Sequence, residues 1–353
     1  MLALRDILFT KLGLHYVPRK RLRFGKVNRL IVSTCIEHIS GPESIACSDD
    51  ELIVVCVVRN GAYYVKSFID YYTDIGVKHI VLLDNNSVDN TVAIARKYDN
   101  VTILKTKLPY RTYAHGFKAY LLNRFSRNTW CLCVDIDEFF DYPHSDRLSI
   151  NMFLKYLNGN SCNAVMAQML DMFSGQPLFD PPSGQKFARS DYRYYDISAI
   201  KKDMISDNIA GLKIPVHYNG VRQQVFDLDV ICLSKMCLLK RDGRLDTDTF
   251  NSHFVEKGYQ LADVTCLLYH YKFTDEFSEI VKNALIEQNY WQNSKEYLAY
   301  HKISTGNPGK SLKQLSNKPV ELRNISELMQ SGFIVTSEKY DEYSRCVVSQ
   351  LDR

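Results

Sequence analysis

The chain has no Cys-x-x-Cys pair among its ten cysteines, which leaves zinc-ribbon and thioredoxin-like readings without support. It has no run of about 18 apolar residues, so no transmembrane helix is expected. A signal-peptide core is missing too, because Arg5, Asp6 and Lys11 interrupt the first apolar stretch. Neither Gly-x-Gly-x-x-Gly nor Gly-x-x-x-x-Gly-Lys-Ser/Thr occurs, which disfavours a dinucleotide fold and a phosphate-loop nucleoside triphosphatase. The net charge is only +4, too mild to argue for nucleic acid. There is no internal repeat and no low-complexity segment. Several cysteines, Cys56 and Cys133 among them, sit inside apolar runs. Buried reduced thiols fit a reducing compartment, and a cytoplasmic protein is the expectation.

What the chain does have is size and pattern. Its 353 residues, 46% hydrophobic, can hold one large domain or two small ones. Charge is unevenly placed: Arg5, Lys11, Arg19, Lys20, Arg21, Arg23, Lys26 and Arg29 stand against a single acid, Asp6, within residues 1–30. With an amphipathic helix over Met1–Leu14, this segment has two readings. It is a peripheral foot on the anionic inner face of a membrane, or a solvated basic face beside the main domain. The pattern divides the chain into a basic extension over 1–48, a main domain over 49–300 and a helical tail over 301–353.

From residue 51 strands and helices alternate. Leu52–Val58 is a continuous apolar run, the mark of a strand buried on both faces. Helical spacing follows over Ala62–Gly76, then a strand over His79–Leu83 and a helix reaching Lys97, with Ser87 as its expected cap. A third strand, Val101–Lys105, precedes a helix over Thr112–Ser126 and a fourth strand over Trp130–Val134. Units of this kind predict an α/β fold with a mostly parallel, Rossmann-like central sheet and helices on both faces. Ligands on such sheets bind at the carboxyl ends of the strands. Beyond a helix over Leu148–Leu157 and a strand over Ala164–Leu170 the pattern loosens. Residues 172–225 are rich in Gly, Pro, Tyr and charge and read as a lid or binding loop. Val230–Lys235 and Thr265–Phe273 are expected strands, Thr274–Trp291 a helix, and the tail from His301 short helices.

The chemistry concentrates at strand ends. Trp130–Val134 stops in Asp135-Ile136-Asp137-Glu138. Carboxylates two residues apart lie on one side of an extended chain, and such oxygens suit a hard divalent cation. Asp137 is therefore expected to ligate Mg²⁺ or Mn²⁺, and Asp135 to meet a nucleotide ribose, or the metal through water. The bland alternative is an acidic turn with Glu138 capping a helix. Asp84, at the tip of the second strand, can accept a hydrogen bond from a nucleotide base, while turn chemistry explains its neighbours. Arg59, before Asn60-Gly61, can meet a phosphate, and the helix that follows would open its N-terminus to anions. Lys118, with Arg111 and His115 upstream, either steadies a diphosphate or lies on a solvated helix face. His270 closes an apolar run, either as a hydrogen-bonded core residue or filling a coordination position on a metal short of ligands. Tyr192, Tyr194, Tyr195 and Tyr218 offer flat faces for a sugar, or simply pack.

Taken in order, VVCVVRNGAYYV, HIVLLDNNSVDNT, WCLCVDIDEFF and LLYHYKF resemble a glycosyltransferase of the GT-A fold. More closely, they resemble its family-2-like group, with an acidic D-x-D-E-F strand end and a late LLH-x-K-F motif. The resemblance covers residues 50–275. It implies a GT-A-like domain and a metal-dependent transferase. The donor would be a nucleotide-diphosphate sugar, a UDP-sugar first among candidates, and the acceptor a carbohydrate or lipid-linked saccharide, in surface polysaccharide synthesis. Position by position, it implies that Asp84 contacts the base, that Asp135 and Asp137 form the Asp-x-Asp motif, that His270 is the late metal or phosphate ligand, and that His253 lies on the acceptor side. One departure stands out: the first-strand motif usually reads Lys/Arg-Asn-Glu, and here glycine occupies position 61.

The expected reaction is transfer with inversion at the anomeric carbon. Its general base would be Asp171, at the end of a predicted strand, with Asp242, Asp246 and Asp248 as alternatives. Two other classes compete. A metal-dependent nucleotidyltransferase also gathers acids at strand ends, although it would carry a Gly-rich basic first loop. A non-catalytic sugar- or nucleotide-binding module on the same fold is hinted at only by the missing glutamate.

Overall fold

The computed structural model describes residues 28–180, 184–204, 212–228, 230–243, 258–287 and 291–351. Most of the basic extension, and with it the membrane reading, lies outside them. Twelve of the strands are β1 (Glu37–Ser40), β2 (Leu52–Val58), β3 (His79–Asp84), β4 (Val101–Lys105), β5 (Trp130–Cys133), β6 (Glu138–Asp141), β7 (Ala164–Phe173), β8 (Tyr194–Tyr195), β9 (Ile200–Met204), β10 (Pro215–Asn219), β11 (Ser234–Lys240) and β12 (Cys266–Phe273). The main sheet runs β1-β4-β3-β2-β5-β11-β7-β12-β6, while β9 and β10 form a separate ribbon.

The α/β class and the mostly parallel central sheet expected from the sequence are present. β4, β3, β2 and β5 are mutually parallel, and β7 is parallel to β12; β11 and β6 enter antiparallel. Helices cover both faces, and β2 shows why its sequence is apolar throughout. Leu52, Val54, Cys56 and Val58 face one core with Val65, Phe68, Ile69 and Tyr72 of α1 (Val65–Asp74). Ile53, Val55 and Val57 face the other core with Phe117, Leu121 and Leu122. Those three belong to α3 (Tyr110–Phe125), which follows the short α2 (Thr91–Ala95). The chain thus winds outward from β2 through β3 to β4 and returns on the opposite face to β5. The crevice between β2 and β5 is the switch point at which such sheets bind ligands.

Several local expectations need correction. Ser87 does not cap a helix: α2 starts at Thr91 and its N-cap Asn90 makes no side-chain cap bond. Glu138 caps no helix either, but opens β6. The strand expected over Val230–Lys235 lies later, at Ser234–Lys240, where β5 and β7 set its register. The 172–225 region carries the β9–β10 ribbon and α5 (Val221–Phe226). After α4 (Ile150–Gly159) and α5, the helix expected over Thr274–Trp291 is present as α6 (Phe277–Glu287), and a further helix, α7 (Trp291–Gly306), starts where it was expected to end. α7 is continuous through residues 300 and 301, where the tail was expected to begin. Seven cysteines are buried and all ten are free thiols. Among the described residues no helix is long and apolar enough to cross a membrane.

Candidate active site

The loops after β2 and β3 are knitted together by side chains. The backbone N–H of Asn60 donates to Ser87 Oγ at 2.8 Å, that of Gly61 to Thr91 Oγ1 at 2.8 Å, and that of Ala62 to Asp89 Oδ2 at 2.9 Å. Asn60 and Asn86 take left-handed backbone, which asparagine tolerates. The N–H groups of residues 60–62, ahead of α1, are therefore consumed within the loops. Position 61 has no space for a side chain: a Cβ would meet Val58 Cγ2 at 2.6 Å and Ile136 Cγ1 at 3.3 Å. Arg59 remains the phosphate candidate of this loop. Its guanidinium pairs with Glu287, at the end of α6, at 3.3 Å, both side chains being partly exposed.

Asp84 is 1% exposed, and both its oxygens accept the Ser87 N–H, at 3.2 and 3.3 Å. That is loop-holding geometry at the tip of β3. Asp135 sits across the crevice between two ammonium groups. Lys118 Nζ donates to its Oδ1 at 2.8 Å and Lys235 Nζ to its Oδ2 at 3.2 Å. Burial opposes its charge, but the two lysines outweigh burial and hold the carboxyl far below the usual range. Lys235 also donates to Glu138, whose other oxygen accepts the Asp135 N–H at 3.0 Å. The Asp135 side chain keeps 34% of its surface exposed while both lysines are buried. Lys118 is thus a support for Asp135 and not an open diphosphate ligand. Arg111 and His115 are exposed.

Asp137 and His270 meet, Oδ2 lying 3.3 Å from Nε2. The contact follows from strand pairing, since His270 is opposite Glu138 in the β12–β6 register and Tyr271 N–H donates to the Asp137 carbonyl. The other ring nitrogen, Nδ1, donates to Asp171 Oδ1 at 2.6 Å, His270 and Asp171 being register partners in β12 and β7. Burial works against imidazolium, but Asp137 and Asp171 overcome it and push the His270 pKa up to about 9.

Asp171 is misplaced for the base expected of it. Its second oxygen accepts Arg222 Nε at 2.8 Å, its side chain is 4% exposed, and Arg222 and His270 together hold its pKa far down against burial. A carboxylate so stabilised is a poor proton acceptor; it orients His270 instead. Asp242 lies at the wrong end of the sheet. Lys240 pairs with Trp130, five residues before Asp135, which at strand rise puts Asp242 roughly 17 Å or more from the site. Asp246, Asp248 and His253 lie outside the described residues. The tyrosines expected in an acceptor cleft are packing groups: Tyr192, Tyr195 and Tyr218 are 3%, 5% and 1% exposed, and Tyr194 has the Lys313 ammonium over its ring.

Among the described residues no three His, Cys, Asp or Glu side chains converge as a metal cage. Asp137 and His270 Nε2 nonetheless fit a divalent cation. A carboxylate behind the opposite ring nitrogen is the usual support of a metal-bound histidine, and Mg²⁺-type sites commonly combine one or two protein ligands with phosphate oxygens and water. Lys235 and Arg222, which bound the run that resembles the segment before the acceptor-side histidine, were given no role of their own from the sequence, nor was Glu287. Lys235 alone left a signal, as a cation inside an apolar strand-like stretch, where burial demands a partner.

No protein family matches the chain, and no curated protein matches it. Solved structures do. S. aureus TarS matches at 12% identity over 72% of this chain and 42% of its own, with a TM-score of 0.32. The mannosyltransferase PcManGT from Pyrobaculum calidifontis, solved with GDP-Man and Mn²⁺, matches at 17% identity over 46% of this chain and 47% of its own, with a TM-score of 0.27. HddC from Yersinia pseudotuberculosis matches at 10% identity over 64% of this chain and 96% of its own, with a TM-score of 0.30. The chain spans less than half the length of the first two. At such scores none of these carries a functional conclusion.

Proposed function

We propose that the protein is a glycosyltransferase that moves a sugar from a nucleotide-diphosphate sugar to an acceptor hydroxyl, with Mn²⁺ or Mg²⁺ as cofactor. The observation that carries this reading is the Asp137–His270 pair, backed by Asp171 and standing beside Asp135 at the sheet's switch point. Asp135, locked in its ionised form by Lys118 and Lys235, presents acceptor oxygens suited to ribose hydroxyls. Asp84 shapes the β3 loop on which the base would lie. Arg59 exchanges Glu287 for a diphosphate oxygen. Asp137 and His270 Nε2 would hold the cation, which when bound would neutralise charge on the leaving diphosphate. Asp171 fixes the ring of His270 and takes no proton from the acceptor. Inversion at the anomeric carbon belongs to this reading, and NMR of the product's anomeric configuration tests it.

Asp137→Ala is expected to abolish metal-dependent turnover with the circular dichroism of the fold unchanged. Wild-type activity in that variant would overturn the site. Thermal stability against UDP, GDP, CMP and dTDP, with and without Mn²⁺, identifies the donor. A ligand at a hundredfold excess over its Kd adds about 2.7 kcal/mol to stability. Release of pyrophosphate in place of a nucleoside diphosphate would mark a nucleotidyltransferase, and binding without turnover on any acceptor a non-catalytic module.

A further inference from the structure

The Asp137–His270–Asp171 contacts continue beyond the sheet. Arg222, on α5, donates Nε to Asp171 at 2.8 Å and Nη2 to Met169 Sδ at 2.8 Å. Its Nη1 lies 3.8 Å from Glu296 Oε1, on α7. The same Glu296 oxygen accepts Lys272 Nζ at 3.0 Å and the Tyr300 hydroxyl. Lys272 follows His270 by two residues in β12, and its side chain is 15% exposed. Charge alternates without a break through Asp137, His270, Asp171, Arg222, Glu296 and Lys272.

We propose that Glu296 is a positioning residue for this site, completing from α7 the charge that lets Asp137 and His270 hold a divalent cation. The inference rests on the cation-binding reading of that pair. Arg222 sits on the Asp171 that holds the imidazole, and Lys272 follows His270 by two residues and acts on Asp137, so both cations oppose a dication at this site unless they are compensated. With a neutral His270, three carboxylates stand against these two cations, leaving one net negative charge. Without Glu296 the count is zero: Arg222 keeps Asp171 at 2.8 Å but loses the carboxylate on its other side, and Lys272 loses its acid partner. A group hydrogen-bonded directly to a metal ligand costs about 10- to 100-fold in metal affinity when removed; Glu296 acts one step further out, through Arg222 and Lys272, and its effect is expected below that range. A helix from the far end of the chain thus contributes to a site otherwise built by strand ends.

The test is Mn²⁺ binding to the full chain, followed by the electron paramagnetic resonance of free Mn²⁺, with unfolding measured on the same samples. Glu296→Gln keeps the shape and removes the charge, and is expected to weaken Mn²⁺ about three- to tenfold, below the effect of a direct partner of the ligands. Glu296→Asp keeps the charge and should recover most of the loss, which a purely structural side chain would not show. If E296Q binds Mn²⁺ within twofold of wild type, the inference fails while the cation reading stands. If the wild type binds no Mn²⁺, with or without nucleotide, both fail. Should E296Q not fold, Glu296→Gln combined with Lys272→Met removes one charge of each sign from the pair. Mn²⁺ affinity within about threefold of wild type in that double variant supports the charge count, and a weakening of about tenfold or more overturns it.

Discussion

Proton and cation compete for His270, and the competition has a calculable pH dependence. The imidazole pKa is raised from 6.5 to about 9 because Asp137 and Asp171 outweigh the burial that opposes its charge. Asp137, held below its ordinary value chiefly by His270 against the effect of burial, stays ionised throughout the neutral range. A cation on Nε2 must therefore release one proton at any pH below about 9. Mn²⁺ affinity should rise about tenfold per pH unit from about pH 6.5 to 8.5, a gain of about 100-fold or ~2.7 kcal/mol. An unshifted histidine would level off near pH 6.5, so the window itself distinguishes the two cases. Calorimetry in two buffers of different ionisation enthalpy counts the proton released, expected to be about one per Mn²⁺ at neutral pH. His270→Gln should flatten the profile. The same group sets an opposite trend in the metal-free protein. A raised folded pKa stabilises fully below about pH 6.5, and that contribution is lost as pH climbs through about 9, at most about 3 kcal/mol. Mn²⁺ affinity that is independent of pH above 6.5, with no proton release, would refute the reasoning.

Two substitutions probe the scaffold around the site. Lys235→Met strips the buried ammonium from Glu138, itself 1% exposed, and from Asp135; it should cost about 3–5 kcal/mol in urea unfolding. Pairing it with Glu138→Gln should recover part of that loss, and a cost below about 1 kcal/mol would show that the ion pairs matter little. Gly61→Ala brings a methyl group to 2.6 Å from Val58 Cγ2, an overpacking expected to cost about 1–3 kcal/mol by the same assay. Unchanged stability would mean that the loop yields.

The half of the sheet around β2 was readable because a strand buried on both faces must be apolar throughout. LIVVCVV and HIVLL could be nothing else once helical spacing separated them. The acids at the ends of these strands stood out against that background. β6 was unreadable, since Asp-Glu after a strand looks like a turn until β12 pairs with it. β11 was displaced because the run from Val230 to Lys240 is nearly continuous, and only its partners select the paired residues. The tyrosines misled because aromatic rings suit sugar faces and cores equally.

Which residue types and strand ends would carry charge was decided by local sequence, through hydrophobic pattern and turn chemistry. Their partners were decided by tertiary structure alone. Asp135 meets Lys235 across 100 residues, and Asp171 meets His270 across 99. Such pairing buries Asp171 between His270 and Arg222 and sets Lys118 and Lys235 on Asp135. The reason is physical. A buried charge takes its properties from the opposite charges within a few ångströms, and those neighbours exist only once the sheet has closed.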